Sequence, residues 1–319
     1  MDNILAEIKK QRPNIRETSL RQYNSVIQNL HKAVNGTAAF KDLDFLKQRK
    51  QVMEIVNSKA KTTAKNYLTA IVVVLKLFPK RYEQEIKAYT DILYERIADY
   101  KKFIDSQQKT KKQEENWLDW PEVIKVLNKL NKEITDKGIR KKDNPNKKEK
   151  DLLQQHLILS LYTLQAPVRS SPYADTKVIT QKAYKKLGEK QEEAHNWLVV
   201  GSRQKMFVIN QYKTSKAYGK RTIKVSNKLN RILNAWLRIH KDEYLLTKQN
   251  GTKMTSNNIT KSLNKIFKRY GKGNISSSML RHIFLSYEMK DDSARLKKQK
   301  LAEEMGHSVS TQEDYVKKD

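Results

Sequence analysis

The sequence has no cysteine. That excludes disulfides, thiolate metal sites and cysteine nucleophiles, and it is compatible with a reducing intracellular compartment. Glycine and proline are scarce, 9 and 6 in 319 residues, which together with long helical periodicities indicates a mainly helical chain. Long apolar runs are missing too. The longest, Ala70 to Leu75, is far too short to span a bilayer, and the N-terminus carries no signal-peptide pattern, so a soluble protein without a membrane partner is expected. Acidic residues are outnumbered, 35 against 65 lysines and arginines, for a net charge of +30. A field of that sign favours a polyanion, nucleic acid first and an anionic membrane surface second. HExxH, Walker-loop and EF-hand patterns are absent, so the sequence gives no sign of a metal or a cofactor. His31, His156, His195 and His240 have no metal-like spacing and read as packing or surface residues.

At this length two domains can each bury a core. In the first, Leu20, Tyr23, Val26, Ile27, Leu30 and Val34 share one helical face, with Thr18 or Ser19 placed to cap it. Further helices are predicted over 43–56, over 62–78 with Tyr67, Leu68, Ile71, Val72 and Leu75 buried, and over 83–104 with Ile86, Tyr89, Leu93, Ile97, Tyr100 and Ile104 buried. Four such helices make a small bundle over residues 1–106. The polar, aperiodic residues 107–116 read as a linker, and Trp117, Leu118 and Trp120 open the second domain, 117–319.

The second domain is predicted to begin with a helix over 121–130, followed by a Lys-rich run over 136–151 that reads as a solvated loop. A strongly apolar helix over 152–164 then leads into Ala166-Pro167-Val168-Arg169. Proline ends that helix and presents Arg169 beside a buried terminus. The residue there either holds a planar anion such as phosphate in bidentate fashion or forms a structural pair with Asp175. Runs at 197–200, 206–209 and 222–225 predict a small antiparallel sheet, with Lys213 and Lys216 at a hairpin tip, where lysines are ordinarily just solvated. Helices over 229–239 and 259–270, with Tyr244-Leu245-Leu246 between them, read as scaffold.

The stretch from Ser276 to Tyr315 is the most informative. Met279, Leu280, Ile283, Phe284 and Tyr287 mark an amphipathic helix that carries Arg281 and His282. A second helix passes through Leu296, Leu301 and Met305, Gly306 ends it, and His307 and Tyr315 follow. A tyrosine hydroxyl is a poor nucleophile at neutral pH unless nearby cations stabilise its oxyanion and the charge that develops on the attacked group. In so basic a protein a phosphodiester is the natural target.

Leu280-Arg281-His282, Gly306-His307-Ser308 and Tyr315, in that order and at about that spacing, resemble the C-terminal signature of the tyrosine recombinase, or phage-type integrase, family. The chain departs from the pattern at two points. Ser278 stands where the family has histidine, and the gap from His307 to Tyr315 is one residue shorter than usual. The resemblance implies a mainly α fold: a helical core-binding domain that grips DNA, joined to an α+β catalytic domain. It also implies strand cleavage and rejoining through a 3′-phosphotyrosyl link, without ATP or metal. Tyr315 would be the nucleophile, Arg169 and Arg281 the clamp on the non-bridging oxygens, His307 a further hydrogen-bond donor and Lys213 the general acid. Ser278 occupies the position of the usual proton-transfer histidine, and His282 points elsewhere on the helix and reads as structural.

The implied partners are double-stranded DNA and further copies of the chain, as a tetramer on DNA. The setting would be intracellular, in whichever compartment holds the target DNA, and the source a virus or other mobile element. Family members commonly continue into a C-terminal helix that docks on a neighbouring subunit. Here the sequence ends at Asp319, so the expectation is either a shortened chain or assembly through other contacts. A type IB topoisomerase, which shares the cleavage chemistry, and a non-catalytic DNA-binding protein with the same fold are the alternatives.

Overall fold

A computed structural model describes residues 2–289 and 295–317. The side chain of Leu296 lies outside the described set. The chain divides into two compact units, 1–106 and 107–319.

The first unit is helical: α1 (Asp2–Gln11), α2 (Glu17–Asn35), α3 (Arg49–Asn57), α4 (Lys61–Leu75) and α5 (Glu83–Asp105). Its centre is the last turn and a half of α4, where every residue from Ala70 to Leu75 is buried, so the longest apolar run of the sequence becomes the core. Four details differ from the sequence reading. An additional helix, α1, packs Ile4 and Ile8 into the core. Thr18 and Ser19 lie inside α2, whose N-cap is Arg16 without a side-chain hydrogen bond. The predicted helix over 43–56 is split by Gln48 into a 3₁₀ turn, Asp44–Lys47, and α3. Along α5 only the first half is covered: Tyr89 and Leu93 are buried, whereas Ile97 and Tyr100 are 42% and 38% exposed. Periodicity predicts a stripe but not how far a neighbour extends along it.

The second unit begins with a short helix rather than an aperiodic linker. Its first helix, α6 (Lys111–Asn116), is held by a capping box in which the Thr110 side chain accepts from the Gln113 amide and Gln113 accepts from the Thr110 amide. Asn116 then accepts a hydrogen bond from the amide of Asn274. Next come α7 (Trp120–Asp136) and α8 (Lys147–Thr163). The Lys-rich run between them is anchored rather than free. Arg140 bonds Asn131 and Thr135, Arg238 bonds Asp143 and the carbonyls of Arg140 and Lys142, and Asn146 with Glu149 caps α8.

From Leu152 to Thr163 every residue of α8 is buried, and three of its polar members find partners on the main chain: Gln154 exchanges two bonds with Thr247, and Ser160 and Thr163 bond the preceding turn. The chain continues through α9 (Ser170–Ala174), β1 (Thr176–Thr180), α10 (Gln181–Tyr184), α11 (Glu189–Glu193), β2 (Asn196–Val200), β3 (Lys205–Ile209), α12 (Ser215–Tyr218) and β4 (Arg221–Lys224). The sheet order is β1-β2-β3-β4. It is mixed rather than antiparallel. The crossover through α10 and α11 returns the chain to the starting edge, so β1 and β2 pair parallel, while β2–β3 and β3–β4 are antiparallel. Alternation along β2 sends Leu198 into the main core and Trp197 and Val199 into a small second cluster with Val208 on the other face. The closing helices are α13 (Asn227–Ile239), α14 (Ser256–Arg269), α15 (Ser277–Glu288), α16 (Arg295–Met305) and α17 (Val309–Glu313).

Candidate active site

Helix α15 starts at Ser276, whose hydroxyl accepts from the Met279 amide. Met279, Leu280 and Ile283 face the core, Phe284 meets the Trp120 ring edge-on, and Tyr287, expected on the buried stripe, is 44% exposed. Burying that face carries Arg281 inward with it, to 2% exposure. Among the described residues none of its three guanidinium nitrogens has a hydrogen-bond partner. A buried arginine without a carboxylate is costly, and burial pulls its pKa down to about 10, with Tyr315 acting in the opposite direction and the charge of Arg169 reinforcing the fall. It is still cationic at neutral pH.

Tyr315 follows α17 and lays its ring over this guanidinium, 4.7 Å from Cζ to the ring centroid. The His307 imidazole stacks on the same ring at 5.5 Å and 22°, and the His282 ring meets it at 4.8 Å and 46°. His307 is 5% exposed, and burial pushes it down to about 4, against a backbone hydrogen bond to Ser308 that raises it and nearby arginines that lower it further. Its Nδ1 lies 3.1 Å from the Ser308 carbonyl. A carbonyl only accepts, so the neutral ring carries its proton on Nδ1 and leaves Nε2, which is buried and unpartnered, as an acceptor.

The Gly306 carbonyl joins the remaining parts. Arg169 Nη1 donates to it at 3.4 Å and the Thr214 hydroxyl at 3.1 Å. Asp175, the alternative partner considered for Arg169, pairs instead with Lys253 at 2.5 Å. Thr214 adjoins Lys213, so the turn after β3 is tied to the Gly306-His307 corner, with Lys213 and Lys216 exposed on it. Gly306 itself has φ +71°, and a Cβ there would collide with Arg221 Nη1. Arg221 braces the same corner by bonding the Glu303 carbonyl. A cleft of about 1010 Å³ opens here, bordered by Gln165 and Ala166, by β4 and by Gly306 to Val309.

The structure therefore brings together Arg169, Arg281, His307 and Tyr315 and places the Lys213 turn beside them. Ser278 is exposed on the first turn of α15. Three contributors escaped the sequence reading. Tyr162 of α8 is fully buried with its hydroxyl unpartnered, and Arg281 is among the charges acting on it. Arg221 and Thr214 are distant in sequence from the residues they hold. Only His282 had a sequence signal, its place in the Leu-Arg-His triplet. Among the described residues no three His, Asp or Glu side chains come together as metal ligands, and no helix is long and apolar enough to cross a membrane.

Residues 196–319 match the sequence profile of the phage integrase family. No curated protein matches the chain. Two solved structures share its fold: the Tn1549 transposon integrase with transposon right end DNA, 12% identical over 99% of this chain and 94% of that one, TM-score 0.56, and a lambda integrase dimer bound to a COC′ core site, 13% identical with the same coverage and TM-score. Residues 196–319 thus match the phage integrase family, and the chain as a whole shares the fold of these two integrase structures.

Proposed function

We propose that the protein is a site-specific DNA recombinase of the integrase type, cleaving and rejoining strands through a 3′-phosphotyrosyl intermediate. The observation that carries this reading is Arg281: a buried cation with three unpartnered nitrogens, facing a tyrosine ring and a second arginine. A protein keeps such a centre for a ligand that completes it, and a phosphodiester offers two anionic oxygens.

Arg169 and Arg281 hold the non-bridging oxygens and stabilise the pentacoordinate transition state. The phenolic oxygen of Tyr315 bonds to phosphorus, and its proton passes to the bare Nε2 of His307, which then donates to the same phosphate. The bond from phosphorus to the 5′ oxygen breaks, and Lys213 supplies the proton that oxygen takes up. Attack by a 5′ hydroxyl reverses the sequence, on the same strand or on a partner strand. The exposed Ser278 takes no part in the proton transfer. Double-stranded DNA is the substrate, the helical unit 1–106 its second grip, and a homo-oligomer on DNA the working form. The two fold relatives, described as complexes with their own DNA, one of them a dimer, support this.

The test is a library of nicked duplexes with randomised arms, incubated with wild type and Tyr315→Phe in the presence of chelator. Wild type is expected to form adducts that survive a denaturing gel, and Tyr315→Phe none. Duplex binding without any adduct in wild type would identify a binding protein. Strand exchange between two recovered duplexes separates a recombinase from a topoisomerase.

A further inference from the structure

Beyond Tyr315 the main chain runs alongside α15 in the same direction, and two side chains of that helix grip it. His282 Nδ1 lies 2.8 Å from the Tyr315 carbonyl oxygen, and the amide of Lys317 donates to Ser286 Oγ at 2.7 Å. Positions 282 and 286 are one turn apart on the same helical face. The pair thus supplies one donor and one acceptor to the main chain. The carbonyl can only accept, so the His282 proton is on Nδ1. Burial pushes this histidine down to about 4; protonation would leave the Nδ1–H in place.

Both contacts are with main chain, so they constrain the path of the segment, whatever its side chains. Ser286 is only 7% exposed, and the His282 ring also touches the Tyr315 ring. Arg281 precedes His282 on the same helix. A single rigid element therefore carries the guanidinium that faces the phosphate and the two groups that hold the nucleophile's backbone. Spacing between attacking oxygen and bound phosphate then depends on α15 rather than on a loop, the condition under which a near-attack geometry is kept.

We infer that His282 and Ser286 are positioning residues, a two-point clamp that sets Tyr315 against the phosphate held by Arg281. The inference rests on Tyr315 being the nucleophile. It is tested in the full-length chain with His282→Ala, His282→Phe, His282→Asn and Ser286→Ala. Two quantities are read: the single-turnover rate of adduct formation on a recovered nicked duplex, with duplex affinity measured alongside, and hydrogen exchange of the Lys317 amide in the free protein.

The Ala and Phe variants at 282 are expected to cleave ~10–100-fold more slowly with affinity unchanged, by the sensitivity of such reactions to displacements of about 1 Å. His282→Asn, which restores an N–H donor near the position of Nδ1, should recover most of the rate. Ser286→Ala should speed Lys317 exchange at least about tenfold, the mark of a lost amide partner. Wild-type cleavage by His282→Phe, an Asn variant as slow as Phe, or unchanged Lys317 exchange in Ser286→Ala would each overturn the clamp. If wild type itself gives no adduct, the nucleophile reading and the clamp's catalytic purpose fall together, whereas fast exchange in Ser286→Ala with a wild type that cleaves supports the clamp alone.

Discussion

Among the described lysines and arginines of the second unit, Lys205 and Arg281 are the most thoroughly buried, at 5% and 2% exposure. Among the described residues neither has a carboxylate partner. Lys205 at the start of β3 is nevertheless satisfied, donating to the side-chain oxygens of Asn230, at 2.8 Å, and Asn234 on α13. Burial lowers its pKa, but the protein has supplied its acceptors. Arg281 has been given none. The difference separates a cation whose desolvation cost the fold offsets internally from one whose cost the fold leaves uncompensated, which under the proposed function a phosphate offsets.

The largest effect should come from breaking that distinction directly. Arg281→Met is expected to slow adduct formation by ~10²–10³-fold, on the scale of losing one preorganised oxyanion donor. Thermal stability should hold or rise, since an uncompensated buried charge is removed. Lys205→Met should do the reverse, leaving the cleavage rate of the folded protein unchanged and costing about 1 kcal/mol in denaturant titration, with exposed Asn234 turning to water. Equal cleavage losses in the two variants would erase the contrast.

Acidification gives the next effect. Burial holds His282 and His307 at about 4 and His156 at about 3, against about 6.5 in unfolded chain. Between those values the unfolded state binds more protons, so the stabilisation is complete above pH 6.5 and is lost as pH falls towards 4. A loss on the order of a few kcal/mol should appear in melting curves taken from pH 7 to 4.5. Arg281→Met removes one of the charges that depress His307 and should shrink the loss, whereas Lys205→Met should leave it unchanged.

The smallest effect is expected at the corner that aligns the site. Gly306→Ala puts a side chain at φ +71° and into Arg221, at a cost of about 1–2 kcal/mol. The shift also displaces the carbonyl to which Arg169 and Thr214 donate. Cleavage should therefore fall more than stability alone accounts for, measured as rate per folded molecule.

Much of the site was legible because it is local. Arg281 with His282, Gly306 with His307, and Tyr315 each sit within a few residues of a helix end or apolar stripe, and such signals survive in one dimension. Arg169 was legible from the proline that follows α8, although the helix already ends at Thr163. Tyr162, Thr214 and Arg221 were not, because each acts on residues far along the chain; even Thr214, beside the singled-out Lys213, has nothing in one dimension that ties it to Gly306. The parallel pairing of β1 was hidden for the same reason. The sequence reading picked out no strand there, and only the crossover through α10 and α11 decides its direction. Along α5 the heptad-like stripe continues past Leu93, but the burial does not.

Composition, periodicity and motif order determined on their own a basic, largely helical chain of two cores, with an arginine, a histidine and a tyrosine near its end. These are properties of sequence neighbours, fixed by side-chain spacing along a helix and by the sign of the summed charge. Tertiary structure alone decided that Arg281 is buried without a hydrogen-bond partner, that His282 holds its proton on Nδ1, and that the helix carrying Arg281 also bonds the main chain of Tyr315 and Lys317. Desolvation, tautomer choice and alignment depend on which distant groups are brought within hydrogen-bonding distance, and only packing in three dimensions sets that.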